Sequence, residues 1–569
     1  MRPLTASART ARTEAERYCE AAGIGFAEAF RYQYAISRAP LGLPGFREID
    51  FGGWCLQLGG ALPTDPIRAV DGRVVGHLFG VGASHDGLDA ASALSEGLDP
   101  GAADVIDRFE DRLTRVVGRY GAIVHLEGRT RLYCDATGMI GVVFDREGAR
   151  VASSPGLCVD RPFVTDPRLP ADGPRGLTLT VDAHVERLTC NHRLDLETFE
   201  TARFWPRDGD RFVLDRADYG AAIDEMIAAV RNVLRSHTAQ GPVSYPLSGG
   251  LDSRAILALA DDETIARADQ IYTHVMAKVN LHDASVANQL CDLLGVGLEV
   301  HNRMRKRRFT GSAAERDFAE TYRAATGRYG PVPNFVDRTQ TRVVRDAVVM
   351  RGQQIPIMRA LFVGGEEGSD WTAREVGGRI LTLLGYQDMD PDHLAVFEKA
   401  IEAQKAELPG PAQARALDLL LTETVNGPEL ASYFCSQSHC FYSSPFNGRR
   451  LIQLMSGFDT EERRSSLIVR LMMLRARPSF AGLIDTREAA TIWHREENAS
   501  VRVRHRRVTE LQDAYAAVFS EPAPHVPMIR FRFDGIKDTV NPRDLRLETA
   551  PSDVADPDRS TVVPFRASA

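Results

Sequence analysis

Ser248-Gly249-Gly250-Leu251-Asp252-Ser253 is the run whose residue types and spacing best suit chemistry. An anion site needs converging backbone N–H groups, and it commonly sits where a strand turns sharply into a helix whose N-terminus carries partial positive charge. Two adjacent glycines permit φ > 0 and remove the Cβ atoms that would hold a phosphate away from the backbone. The hydroxyls of Ser248 and Ser253 are placed to donate to pyrophosphate oxygens. Among such oxygens a carboxylate would be repelled unless a cation lay between them, so the role expected of Asp252 is that of a Mg²⁺ ligand.

The elements around this run must position it. Residues 243–247 read as a short strand, and a helix follows from about 253 to 259. A second strand at 270–276, a helix from about 283 to 294 stopped by Gly295, and a third strand at 297–301 complete an alternation that implies a parallel sheet covered by helices. Ahead of it, Ile223, Met226, Ile227, Val230 and Leu234 recur at intervals of three and four, the apolar face of an amphipathic helix. The first ~208 residues have another texture, Gly-rich with short β-like runs. Residues 118–126, 130–134, 140–144 and 149–154 read as sequential antiparallel strands, with turns at Glu127-Gly128-Arg129 and Asp145-Arg-Glu-Gly148. Residues 205–210, polar and containing Pro and Gly, read as a linker. Residues 313–507 read as mostly helical, and the Pro-, Asp- and Ser-rich stretch from 541 reads as a loosely attached tail.

Size and charge exclude some classes. A chain of 569 residues exceeds what one hydrophobic core serves, so two or more domains are expected. The net charge of −8 speaks against nucleic acid as the principal partner. No apolar run is long enough to span a membrane, and no apolar segment follows the N-terminus as a secretory signal would require. Eight scattered cysteines suit reduced thiols in the cytoplasm. Cys435 and Cys440, with His439 between them, have no second ligand pair at zinc spacing and read as core residues. Arg502, Arg504, His505, Arg506 and Arg507 read as an exposed helix or arm, with guidance of an acidic peptide or RNA as the functional alternative. Trp205, Trp371 and Trp493 read as core or interface anchors.

Pro246-Leu-Ser-Gly-Gly-Leu-Asp-Ser253, behind a hydrophobic strand and ahead of a helix, resembles the pyrophosphatase loop of the ATP-pyrophosphatase superfamily, and within it the asparagine synthetase-like family. The resemblance implies an α/β fold: an N-terminal glutaminase-like β-sandwich domain over residues 1–208, a parallel-sheet ATP-pyrophosphatase domain over 209–540, and a flexible tail over 541–569. It implies ATP and Mg²⁺ as cofactors, with Leu247 to Ser253 around the phosphates, Asp252 on the metal, and Thr273, His274 and Val275 presenting backbone to the adenine. Pro445-Phe446-Asn447, with Arg449 and Arg450, is similar to a further family segment.

Departures from the family shape the expected reaction. Glutamine-using members carry cysteine directly after the initiator methionine, whereas this chain begins Met1-Arg2-Pro3 and its first cysteine is Cys19. Glutamine hydrolysis is therefore not expected, as in the β-lactam synthetases and lasso-peptide cyclases, where the attacking amine belongs to the substrate. The family's second acidic segment corresponds to residues 349–361, which contain no acid. Gln353 and Gln354 offer neutral oxygens there, and Arg351 or Arg359 offer phosphate-fitting guanidiniums; a buried strand and turn is the bland alternative. Arg254 reads equally as a phosphate cation or a solvated surface residue. Where relatives carry a late catalytic lysine, this chain has Arg464 and Arg470. The expected activity is AMP-forming ligation of a small-molecule or peptide carboxylate to an amine, with a precursor peptide or biosynthetic protein as partner. The alternative is a nucleotide-binding scaffold that has lost its chemistry.

Overall fold

The computed structural model describes residues 12–165, 178–275, 280–302, 313–328, 342–361, 372–384, 391–483, 497–527 and 529. Trp371, Trp493 and the 541–569 tail lie outside the described residues, as do Met1 to Pro3.

Short strands, the central ones buried almost throughout, build two six-stranded antiparallel sheets in the first part of the chain. In spatial order one runs Val185–Arg187, Val143–Asp145, Arg150–Ala152, Tyr34–Ser37, Trp54–Gly59 and Phe46–Phe51. The other runs Thr201–Arg203, His192–Asp195, Arg129–Cys134, Val116–Leu126, Val74–Ser84 and Thr64–Arg68. Tyr34, Leu56 and Phe144 from the first sheet share a buried apolar cluster with Phe79, Ile123 and Leu132 from the second, so the sheets pack face to face.

The expected succession of strands divides between the sheets. Val116–Leu126 and Arg129–Cys134 pair with each other, whereas Val143–Asp145 and Arg150–Ala152 form their hairpin in the opposite sheet. Gly138 and Gly141 make this change of sheet possible, at φ +69° and +75°. A Cβ on Gly141 would lie 2.5 Å from the Ser153 carbonyl oxygen, so only glycine fits there.

The 205–210 stretch is no free tether. Trp205 is 1% exposed and packs against Phe212, while Arg207 pairs with Glu110 and Asp111, fastening the crossing to the first part of the chain. A bulky indole removed from water outweighs the turn-forming tendency of the Pro and Gly beside it.

Beyond it lies a five-stranded, all-parallel sheet: β1 Val243–Pro246, β2 Gln270–Val275, β3 Glu299–Asn302, β4 Val348–Met350 and β5 Phe441–Ser443. Its spatial order is β3-β2-β1-β4-β5. Among the helices flanking the site are α1 Tyr219–Gln240, α2 Leu251–Leu259, α3 Asn280–Leu294, α4 Leu467–Ala476 and α5 Glu497–Phe519. All five apolar positions anticipated on α1 are buried. The protein is thus mixed α/β, with antiparallel sheets in its first part and a parallel sheet in its second. No described helix is long and apolar enough to cross a membrane.

The two parts are sewn together by polar groups. Asn447 donates to Asp135 Oδ1 at 2.8 Å and to the Gly118 carbonyl at 2.6 Å, and Arg449 donates to Asn191 Oδ1 at 2.9 Å and the Cys134 carbonyl at 2.8 Å. Arg450 instead forks onto both oxygens of Glu225 on α1, each at 2.7 Å, a link within the second part. Asn447 and Arg449 therefore hold the sandwich against the parallel sheet.

Candidate phosphate-binding site

In an open parallel sheet, two loops diverge above the carboxyl ends of the strands where the winding direction reverses, and the crevice between them is where ligands bind. Here that reversal falls between β1, which continues to β2 and β3 on one side, and β4, which continues to β5 on the other. The loop leaving β1 is Leu247 to Gly250, running into α2. The turn leaving β4 is Arg351 to Leu361.

The β1 loop is internally pinned. The Ser248 amide donates to Ser253 Oγ at 2.9 Å, the two serine hydroxyls are 2.9 Å apart, and the Gly250 amide donates to Ser248 Oγ at 3.2 Å. Leu247 N donates to the Tyr272 carbonyl at 2.7 Å, which fixes the loop's register against β2. The amides of Leu251, Asp252 and Ser253 open α2 and, as at any helix start, have no acceptor within the helix. Three aligned donors on a positive helix end remain for an anion.

The glycines do not use the φ > 0 that they permit. Gly250 is extended at φ −70° and ψ 163°, and neither Gly249 nor Gly250 is among the glycines of positive φ. What the loop uses at Gly250 is the missing side chain, since a Cβ would lie only 3.3 Å from Ser248 Oγ.

Arg254 is not the solvated surface residue that was one reading of it. It is 1% exposed and donates to the carbonyls of Leu483 and Gly249, at 3.0 and 3.1 Å, so it clamps the loop from beneath.

The β4 turn reaches the loop directly. A Cβ on Gly352 would lie 3.2 Å from the Asp252 carbonyl oxygen, so the two backbones nearly touch. Arg359 Nη1 then meets Asp252 Oδ1 at 2.8 Å, while its Nε donates to Ser466 Oγ at 3.2 Å. Arg463, fully buried, donates twice to the Ile357 carbonyl, at 2.6 and 3.1 Å, and pairs with buried Asp418 at 2.6 Å. This buried pair anchors the turn that presents Arg359. Burial raises the Asp252 carboxyl above the ordinary aspartate range, and Arg359 opposes that rise.

The remaining site candidates are placed unequally. Arg351 donates its amide to the Ser443 carbonyl at 2.9 Å, and its guanidinium lies 5.6 Å from the centre of the Tyr442 ring. Gln353 is half-buried, and buried Gln354 turns to Thr137 Oγ1, at 3.3 Å, on the sandwich side. Arg470 is half-buried on α4, which packs against α2. Arg464 is exposed and paired with Glu461, a surface ion pair. Thr273 and Val275 are buried at the end of β2. His274 stands 5.4 Å from His301, whose ring stacks on Tyr272 at 5.0 Å.

Cys435 and Cys440 are buried, and His439 Nε2 lies 2.8 Å from the Val343 carbonyl oxygen. Cys19 lies in the helix Glu14–Ala22, its thiol pushed up to about 12 by burial, a poor nucleophile. Arg506, in α5, pairs with Glu510 on the surface, in keeping with an exposed helix.

Sequence reasoning missed Arg463, Asp418 and Ser466. In Glu461-Glu-Arg-Arg464 nothing separates the arginine that becomes fully buried from the one that stays in solvent. Ser466, at φ +61°, ends the reach of any helix-face argument through that corner.

The chemistry of the donors also bears on magnesium. That ion is usually held by one or two carboxylates together with substrate phosphates and keeps several waters. Asp252 is one carboxylate with an oxygen already committed to a guanidinium, and no cluster of three or more His, Cys, Asp or Glu residues forms among the described residues. This donor set offers a magnesium ion one free carboxylate oxygen, Asp252 Oδ2, with the remaining ligands left to phosphate and water.

Compared with known proteins, the chain matches no protein-family model, and no curated sequence is significantly similar to it.

Proposed function

We propose that the chain binds ATP at the crevice between β1 and β4 and uses it to join a carboxylate to an amine. The observation that carries this reading is topological: the Ser248–Ser253 loop, with its helix-start donors, lies at the one reversal of the parallel sheet and is met there by an arginine from the neighbouring loop.

The amides of Leu251, Asp252 and Ser253 hold the β and γ phosphates, and Arg359 offsets their charge. Thr273 to Val275, ending β2 beside β1, border the adenine. A carboxylate oxygen of the substrate attacks the α-phosphorus; the bond from the α-phosphorus to the bridging oxygen breaks, and pyrophosphate leaves with its electron pair. The amine then attacks the acyl carbon, AMP departs, and the amine's proton passes to solvent. Such a reaction needs orientation and charge neutralisation more than a strong base. Arg351, beside the turn, and Arg470, on α4, are the further guanidiniums offered to developing charge. The carboxylate belongs to a small molecule or peptide, and a precursor peptide or partner biosynthetic protein would deliver it.

Incubation with ATP, magnesium and panels of carboxylic acids and amines, with AMP and pyrophosphate quantified, tests the reading. AMP and pyrophosphate in equal amounts, dependent on both acid and amine, support it. ATP bound at the loop without AMP release across cognate substrates would retire the ligase.

One observation favours a second reading, a nucleotide-binding scaffold that has lost its chemistry: Arg359 occupies the carboxylate on which metal-assisted transfer would depend. Under that reading ATP binding persists, and Arg351 and Arg470 can be replaced without loss of biological activity.

A further inference from the structure

A carboxylate in the first turn of α2 poses an electrostatic problem for a polyphosphate site. Asp252 places a negative charge among the amides that would receive phosphate oxygens, and two like charges at contact distance repel strongly. Either a divalent ion must lie between them or the protein must supply a cation of its own. The structure supplies one. Arg359 reaches Asp252 from the loop on the other side of the switch point, at 2.8 Å, with its Nε fastened to Ser466.

The surroundings are built to hold this arginine. Ala360, directly after it, and Ser466, its second partner, are both non-glycine residues at positive φ, +43° and +61°. Such backbone persists only where packing enforces it. The turn is further held at the Ile357 carbonyl by Arg463, which is itself locked to Asp418. A guanidinium has five N–H donors, and Arg359 uses two, leaving Nη2 without a hydrogen-bond partner among the described residues. Its planar fork suits a carboxylate on one edge and phosphate oxygens on another.

We propose that Arg359 is the resident cation of the phosphate loop, bridging Asp252 to the polyphosphate so that nucleotide binds there without a divalent ion. The ligand class is a nucleoside triphosphate or free pyrophosphate, recognised through the same oxygens. This inference rests on the reading of residues 248–253 as a phosphate loop, and it assigns to an arginine the neutralising role that Asp252 would otherwise give to magnesium. Asp252 then serves to orient Arg359 and acts as a positioning residue.

The test is calorimetric titration of ATP, and separately of inorganic pyrophosphate, into the full chain, in EDTA and in excess magnesium. Wild type is expected to bind in EDTA with an affinity within roughly threefold of that in magnesium. Arg359→Gln is expected to lose roughly 10- to 100-fold in EDTA, the range of one lost charge-assisted contact, and to regain part of it when magnesium is added. Arg359→Lys keeps the charge without the fork and should fall between the two. Asp252→Asn should bind as tightly as wild type in EDTA or more so, because its amide oxygen still accepts from Arg359 and keeps it oriented while the repelling charge is gone; a metal-ligand role predicts weakening in magnesium instead. Thermal melts of each variant separate lost binding from lost folding, and Arg359→Lys, which keeps the positive charge beside Asp252, keeps the test open if Arg359→Gln does not fold. If wild type binds only with magnesium, and Arg359→Gln matches it, the resident-cation proposal is overturned while the phosphate-loop reading stands. If wild type binds neither ligand in either buffer, the phosphate-loop reading fails and this proposal with it.

Discussion

Replacing Arg463 by methionine should disable the candidate site from a distance. Arg463 and Asp418 are 0% and 1% exposed and lie 2.6 Å apart, so removal of the arginine leaves an ionised carboxylate in the interior without a counter-charge. Breaking such a pair by deleting one partner costs roughly 3–5 kcal/mol, whereas replacing both partners with apolar residues of similar volume is often close to neutral. The two donations to the Ile357 carbonyl disappear as well, and Ile357 lies two residues before Arg359. Arg463→Met is therefore expected to lower the stability of the parallel-sheet part by roughly 3–5 kcal/mol. The double variant Arg463→Met with Asp418→Leu should recover more than half of that loss. The assay is a double-mutant cycle by urea unfolding, followed by spectroscopy and by hydrogen exchange so that the two parts of the chain are read separately. Exchange at the amides of Ile357 to Leu361 should quicken in the single variant, and ATP affinity should fall with it. A single variant within roughly 1 kcal/mol of wild type, with unchanged exchange over residues 357–361, would refute the idea that this pair holds the Arg359 turn.

Other consequences are more local. Burial holds the Asp252 carboxyl above its ordinary value, so the folded state takes up that proton more readily than the unfolded chain; the group favours folding in acid and loses that contribution as pH rises through its raised value. Asp252→Asn should accordingly raise the melting temperature relative to wild type more at pH 7.5 than in acid, and an equal difference at both would contradict this. His237, buried on α1, is held down to about 4 by desolvation, so protonation favours unfolding: its contribution is complete above the unfolded value of about 6.5 and is lost as pH falls toward 4. His237→Leu should remove roughly 3 kcal/mol of the acid-side loss of stability, measured by urea unfolding at pH 4 and pH 7.5. Asp135→Ala should cost more than roughly 2 kcal/mol, because the amides of Thr137, Met139 and Ile140 and the Asn447 side chain all lose their acceptor. Limited proteolysis should then release the sandwich from the parallel sheet.

The parallel sheet was legible because its signals are local. Short apolar runs alternate with helical periodicity, and Gly-Gly before Leu251 marks a turn with no room for side chains. The α1 face followed from spacing alone. The strands of the sandwich were legible as strands, but their assignment to two sheets depended on Gly138 and Gly141 turning the chain across, and a glycine in sequence does not declare its φ. Trp205 beside Pro206 looked like a linker because composition is blind to burial. The pair that completes the candidate site was hidden more deeply. Asp252 and Arg359 are 107 residues apart, and the contact exists only because β1 and β4 are neighbours in space. Local pattern finds the loop, but pairing across the sheet decides what faces it.

In the proposed function the amides opening α2 receive the phosphates of a nucleotide. Hydrogen exchange of residues 248–254, with and without saturating ATP or pyrophosphate, tests it most directly. Slowed exchange at Leu251, Asp252 and Ser253, lost again in Arg359→Gln at the same ligand concentration in EDTA, is the expected result. ATP binding that leaves those three amides unchanged while protecting another part of the chain would contradict it.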